Sequence, residues 1–172
     1  MYDVTTRQAG DRDAAAIARV HVRAWQLGYR GIVADRVLDA LSLEQRERDW
    51  VIWLCSGESS TLIAERYGAV VGFASLVLPS RDEDVGPHTG ELAALYVEPE
   101  QWRTGIGSAL LREAMNDARA DRSVEEIAAW VLSANTAAQA FYSRLGFAPD
   151  GAQQVHARSG QTMVRLRAPL HG

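Results

Sequence analysis

The segment Val97-Glu98-Pro99-Glu100-Gln101-Trp102-Arg103-Thr104-Gly105-Ile106-Gly107-Ser108 follows an apolar run and opens a helical pattern. A strand, a turn with two glycines and a helix start bring unpaired N–H groups together, and the helix dipole adds to their pull on an anion. The segment therefore suits a phosphate-bearing cofactor. Glycines at a turn also serve where φ is positive or packing is close, so the rest of the chain must decide between these readings.

With 172 residues the chain suffices for one domain, 1–172, with a full core and no disulfide. Eighteen basic and twenty-two acidic residues give a formal charge of −4. No basic block stands out, which argues against a nucleic-acid partner. Cys55, the only cysteine, lies in the apolar run from Trp50 and is expected as a buried core thiol. No apolar run approaches the roughly 20 residues that span a bilayer. The N-terminus lacks a basic start followed by an apolar stretch, so a cytoplasmic location without membrane attachment is expected.

The remaining pattern reads as strand Tyr2–Arg7, a helix capped by Asp11 or Asp13, and a looser stretch around Gly28 and Gly31. A helix from Ser42 to Cys55 follows, with Ser42 as cap and Gln45 at the capping-box position. Strands Thr61–Glu65 and Val70–Leu78 flank a turn at Gly68. Residues Ser80 to Gly90, with three acids, two glycines and a proline, read as a mobile loop. Strand Leu92–Val97 comes next, with Glu91 at its beginning. Beyond the glycine turn lie a helix with Leu110, Leu111, Ala114, Met115 and Ala118 on one face and strand Ile127–Leu132. Helix Asn135–Leu145 is closed by Gly146, and an antiparallel pair, Val155–Ala157 with Thr162–Leu166, ends the chain. This order makes a mixed α/β domain.

Three segments taken together, Gly90 to Pro99, Thr104 to Leu111, and Asn135 to Phe147 with its Ala-Phe-Tyr-Ser-Arg-Leu-Gly-Phe, resemble the GNAT superfamily of GCN5-related N-acetyltransferases. His21 to Gly31 resembles an uncharacterised bacterial subgroup. The resemblance implies a central, mostly antiparallel sheet with one splayed parallel strand pair, flanked by helices. It implies acetyl-CoA as cofactor and acetyl transfer to a small-molecule amine or an exposed protein amine. It leaves open a non-catalytic acyl-CoA-binding sensor, and an O-acyl or longer-acyl transferase. Homodimers are common in such folds. At the position where the family carries Gln or Arg, this chain has Trp102.

Carried over by position, the pyrophosphate would sit on the N–H groups of Arg103, Thr104, Gly105, Ile106, Gly107 and Ser108, with the bare Gly107 allowing close approach. Backbone groups of Leu95 and Val97 would pair with the pantetheine arm, and Asn135 would contact it or serve simply as an N-cap. Glu91 is the candidate general base, on the face shared with Ala93, Leu95 and Val97 if no bulge intervenes, or else an exposed strand-end carboxylate. Tyr142 would donate a proton or hydrogen bond to the departing thiolate, or only pack beside Phe141. His21, Trp25, Tyr29 and Arg30 fall where an acceptor pocket is expected. Asp82, Glu83 and Asp84 would attract a cationic acceptor or be solvated. The four histidines show no metal spacing, and none is required.

Overall fold

A computed structural model describes residues 4–171. Seven strands form one sheet: β1 (Val4–Gln8), β2 (Ser60–Arg66), β3 (Ala69–Val77), β4 (Thr89–Val97), β5 (Glu126–Leu132), β6 (Ala148–Val155) and β7 (Thr162–Pro169). Their spatial order is β1-β2-β3-β4-β5-β7-β6. Every neighbouring pair is antiparallel except β4 with β5. Helices α1 (Ala14–Gly28), α2 (Asp35–Asp39), α3 (Leu43–Ser56), α4 (Ile106–Ala120) and α5 (Thr136–Ser143) complete the mixed α+β architecture.

Core packing sits on both faces of the sheet. Leu110, Leu111, Ala114, Met115 and Ala118 of α4 are buried with Leu92, Ile127 and Leu166. On the other face Ile17, Val20 and Trp50 from α1 and α3 meet Ile63 and Phe73. β3, buried along nearly its whole length, is a central strand covered on both sides and reads as an apolar run.

β4 and β5 pair only from Thr89↔Glu126 to Leu92↔Ala129 and then part. Between β3 and β4 the register steps from Ser75↔Ala94 to Leu76↔Leu92, leaving Ala93 as a bulge. The bulge reverses the expected alternation. Leu92, Leu95 and Val97 join the α4 core, whereas Ala94 and Tyr96 pack on the α1/α3 side. Glu91 lines the same cavity as Ala94 and Tyr96 and does not share a face with Leu95 and Val97.

Local signals hold in several places. Ser42 Oγ accepts the Gln45 N–H at 3.1 Å, although the Gln45 side chain turns to Asp49. Asp13 Oδ2 instead accepts the Gly10 N–H and pairs with Arg7, outside the α1 turn it was expected to cap. Tyr2 and Asp3 of the expected first strand lie outside the described residues. Gly90 belongs to β4, where an added Cβ would come within 2.5 Å of Leu78 and 2.7 Å of Ile127. Cys55 is exposed, on the outer side of α3. α2, five residues long, is too short to show a period. The first half of β6 contains Pro149, Asp150 and Gly151, poor strand formers tolerated at a bulged edge.

Candidate active site

The turn between β4 and α4 is fastened from α1. Arg19 Nε and Arg23 Nε donate to the two oxygens of the nearly buried Glu98, at 3.3 and 2.8 Å. A short 3-10 turn, Pro99–Gln101, leads to Arg103 (φ 64°) and Gly105 (φ 91°), both left-handed. Glycine takes this conformation freely, whereas Arg103 is held in it at some cost. Thr104 Oγ1 closes the turn on the Gln101 carbonyl at 2.7 Å. Among the described residues no backbone carbonyl takes the N–H groups of Arg103, Thr104 or Gly105. Those of Ile106, Gly107 and Ser108 begin α4 and have no partner within it. This is an anion cradle that fits a pyrophosphate. A Cβ on Gly107 would meet Phe141 and Val97 at 3.6 to 3.7 Å, so its bare face looks into the protein and not toward the anion.

Trp102 takes a different part from the polar residue usual there. Its indole N–H donates to the Val97 carbonyl at 2.8 Å, and its ring edge lies 3.6 Å from where a Gly28 Cβ would be. The Val97 carbonyl, expected free for a pantetheine arm, is thus occupied by the chain itself. Beyond Leu92 the edge of β4 that faces β5, including Leu95, remains unpaired with that strand. Asn135 Oδ1 accepts the Ala138 N–H at 3.1 Å as an N-cap. Its amide nitrogen has no protein partner among the described residues, so the capping role leaves a donor over.

Where β4 and β5 part, a cavity of about 520 Å³ opens on the α1/α3 side. Trp25, Tyr29, Trp50, Trp53, Tyr96 and Trp130 contribute to its walls. Trp50 Nε1 donates to His21 Nδ1 at 3.1 Å, and the His21 ring stacks on Tyr96 at 4.8 Å. Burial, followed by the charges of Arg46 and Arg158, pushes the His21 pKa down to about 3. His21 is therefore a neutral wall of the cavity and too weak a base to collect an ammonium proton.

Glu91 is buried, not an exposed strand end. Arg81 grips both its oxygens, Nε to Oε2 at 2.9 Å and Nη2 to Oε1 at 2.5 Å, while lying 5.1 Å over the Trp53 ring. Tyr142 packs between Phe141 and Phe147 at 5.2 and 5.3 Å. Burial and the nearby Tyr96 raise its phenol well above the ordinary tyrosine value, so it keeps its proton as a donor. Burial, then Tyr96 and Tyr142, raises the Tyr29 phenol; Tyr29 and Tyr96 line the cavity, whereas Tyr142 does not.

Of the three loop acids, Glu83 is exposed, whereas Asp82 and Asp84 are compensated. Arg165, 4% exposed, engages Asp84 at 2.7 and 2.9 Å, Asp150 at 2.7 Å and Asp82 at 3.3 Å. Trp130 Nε1 adds a 2.8 Å bond to Asp82. These acids are consumed by a buried arginine and offer little attraction to a cationic acceptor. Arg30 likewise pairs with Asp35 and Asp39 and is not a cavity residue. The sequence reading missed Arg46, Arg81, Arg158, His156 and Met163, which line the cavity from distant segments. Tyr96 alone had a local signal, as the aromatic opposing Leu95 and Val97 in β4.

A mostly antiparallel sheet flanked by helices, parted between β4 and β5 beside the turn into α4, is a GNAT acyltransferase fold. The PaiA N-acetyltransferase of Thermoplasma acidophilum, solved with coenzyme A, superposes with a TM-score of 0.75 at 20% identity, covering 97% of this chain and 99% of that one. Salmonella typhimurium yncA with acetyl-CoA gives 0.71 at 24% identity, covering 99% and 95%. The chain belongs to the acetyltransferase (GNAT) family, whose model matches residues 20–147. It is 37% identical over 108 residues to the uncharacterized N-acetyltransferase YuaI of Bacillus subtilis (strain 168), a match covering 63% of this chain. The match spans 60% of YuaI. No helix among the described residues is long and apolar enough to cross a membrane.

Proposed function

We propose that this protein is an N-acetyltransferase that moves an acetyl group from acetyl-CoA to a primary amine by direct attack. The observation that carries the reading is the opening between β4 and β5 beyond Leu92, which runs along β4 from the cavity-lining Leu92 to Tyr96 toward the turn that follows Val97. Acetyl-CoA supplies an acetyl group activated as a thioester. The cradle N–H groups hold its pyrophosphate, and the free edge of β4 around Leu95 offers backbone partners to the peptide-like arm. The Asn135 amide adds a donor.

An alkylamine near pKa 10 is mostly protonated at pH 7 and must lose a proton to attack. Glu91, held in one orientation by Arg81, receives that proton directly or through water. The amine nitrogen forms the new C–N bond, the C–S bond breaks, and the electron pair leaves on sulfur. Tyr142 donates a hydrogen bond to that thiolate. Its raised pKa makes full proton transfer to a group near 8.5 unfavourable, which defines its role as hydrogen-bond donation.

Titration calorimetry with acetyl-CoA and CoA, followed by a thiol-release assay against amines, tests the reading. Saturable binding with turnover is expected, and a folded sample that binds neither ligand overturns it. Glu91→Gln is expected to slow turnover about a hundredfold at pH 7, with the deficit shrinking toward alkaline pH as free amine accumulates. Tyr142→Phe is expected to lower kcat about tenfold or more without changing acetyl-CoA affinity. An unchanged pH–rate profile removes Glu91 from the mechanism. Binding without turnover on any amine would make the protein an acyl-CoA-binding sensor.

A further inference from the structure

The cavity is aromatic, yet its charges do not balance. Besides the phenols of Tyr29 and Tyr96, its ionisable members are Arg46, Arg81 and Arg158, the acids Asp49 and Glu91, and the two histidines, His21 and His156. Arg81 and Glu91 satisfy each other. Asp49 accepts the Gln45 amide at 2.8 Å and stands 3.5 Å from Arg46, a loose contact without a hydrogen bond. Arg158, at the β6–β7 connection, has no carboxylate or hydrogen-bond partner among the described residues. Both arginines line the same cavity, Arg46 from α3 and Arg158 from the β6–β7 connection.

We propose, on the basis of the acetyl-transfer reading above, that the acceptor is a small amine carrying a carboxylate, which Arg46 and Arg158 bind together. An apolar or aromatic body between the two ends would lie against Trp25, Trp50 and Tyr96. The amine end would face Glu91 and the parted strands, and the carboxylate end the two guanidiniums.

Two arginines facing one apolar cavity repel each other, and an anion between them turns that repulsion into two charge-assisted contacts. Burial and the charge of Arg158 lower the pKa of Arg46, in keeping with two guanidiniums near one another. Burial, with a smaller contribution from Arg158, pushes down both His21 and His156, so neither histidine adds a competing charge at neutral pH. Asp82 and Asp84, which would favour a polyamine, are engaged by Arg165, and of the cavity's own two acids Glu91 is held by Arg81. A volume near 520 Å³ is of the size that encloses a small metabolite-like ligand.

The test compares amines that share a body and differ in charge: L-phenylalanine against L-phenylalaninamide, and 4-(aminomethyl)benzoate against benzylamine, with spermidine as a cationic control. Acetylation is measured as kcat/KM at saturating acetyl-CoA, and binding by calorimetry with CoA present. The carboxylate member of at least one pair is expected to exceed its neutral partner by about tenfold or more. Arg46→Gln and Arg158→Gln should each bring that ratio toward one, mainly through KM, while the affinity for acetyl-CoA stays as in the parent. Arg158 is exposed, so its substitution leaves folding intact. Neutral amines or spermidine acetylated in preference would overturn the proposal while the transferase reading stands. Arginine-dependent binding of a carboxylate probe without turnover would uphold the pocket's selectivity and overturn the transferase reading. If no carboxylate probe binds or reacts, or if the arginine variants leave the ratio unchanged, the proposal fails.

Discussion

The anion cradle at 103–108 and the aromatic cavity both depend on β4, yet they are assembled in different ways. The cradle is nearly all backbone from one contiguous stretch, with its N–H groups presented by two left-handed residues and a helix start. The cavity is nearly all side chain, drawn from α1, α3, β3, β4, β5 and the β6–β7 hairpin. A contiguous backbone site tolerates changes of side chain, whereas a site converging from many elements depends on each element's register and anchoring. In the proposed reading, the common group falls to the first kind of surface and the variable acceptor to the second.

The largest break in that comparison should come from Arg165. It ties the loop before β4 to β6 and β7, so Arg165→Met leaves the partly buried Asp82 without its cation and Asp150 with only Arg167, at 3.7 Å. Chemical denaturation should show a loss of about 2–4 kcal/mol. Acceptor KM should rise more than acetyl-CoA affinity falls, because the network supports the cavity and not the cradle. An equal loss at both ligands would mean that the two regions are not mechanically separate.

A smaller effect should appear in pH dependence. His21 has a folded-state pKa near 3, below the ordinary value near 6.5, so beneath pH 6.5 the unfolded chain binds the extra proton. Stability should therefore fall as pH drops from about 6.5 toward about 3, by up to about 1.4 kcal/mol per pH unit from this residue. His21→Asn, which can still accept the Trp50 N–H, should flatten that acid limb in denaturation curves measured at several pH values. A limb unchanged in the variant would assign the acid sensitivity to other groups.

The smallest effect is expected at the cradle. Trp102→Phe removes the indole donor to Val97 while keeping an aromatic ring over Gly28. One neutral hydrogen bond contributes about 1 kcal/mol, so the dissociation constant of acetyl-CoA should move by no more than about fivefold. A far larger change would show that a side chain, and not backbone N–H groups, governs the cradle.

The legibility of the two regions follows from the same contrast. The turn at 102–108, the Ser42 and Asn135 caps, the apolar face of α4 and most strands could be read locally. Each is fixed by spacing within a few residues and by the hydrogen-bonding demand of the backbone. The family motif also brought Glu91, Asn135 and Tyr142 forward. The Ala93 bulge was not legible, because register depends on how β3 lies against β4, and one extra residue is enough to change the face that Glu91 occupies. Asp82 and Asp84 looked like free loop charges because their partner, Arg165, lies more than eighty residues away.

The sequence by itself determined the architecture, the turn at 102–108 and the membership of the chain in its family, because backbone periodicity and turn chemistry are set by neighbouring residues. Only the tertiary structure decided that Arg81 holds Glu91, that Trp102 takes the Val97 carbonyl, and that Arg46 and Arg158 share one cavity. Side-chain encounters across the sheet depend on strand register and helix placement, and those are settled only when the whole core packs at once.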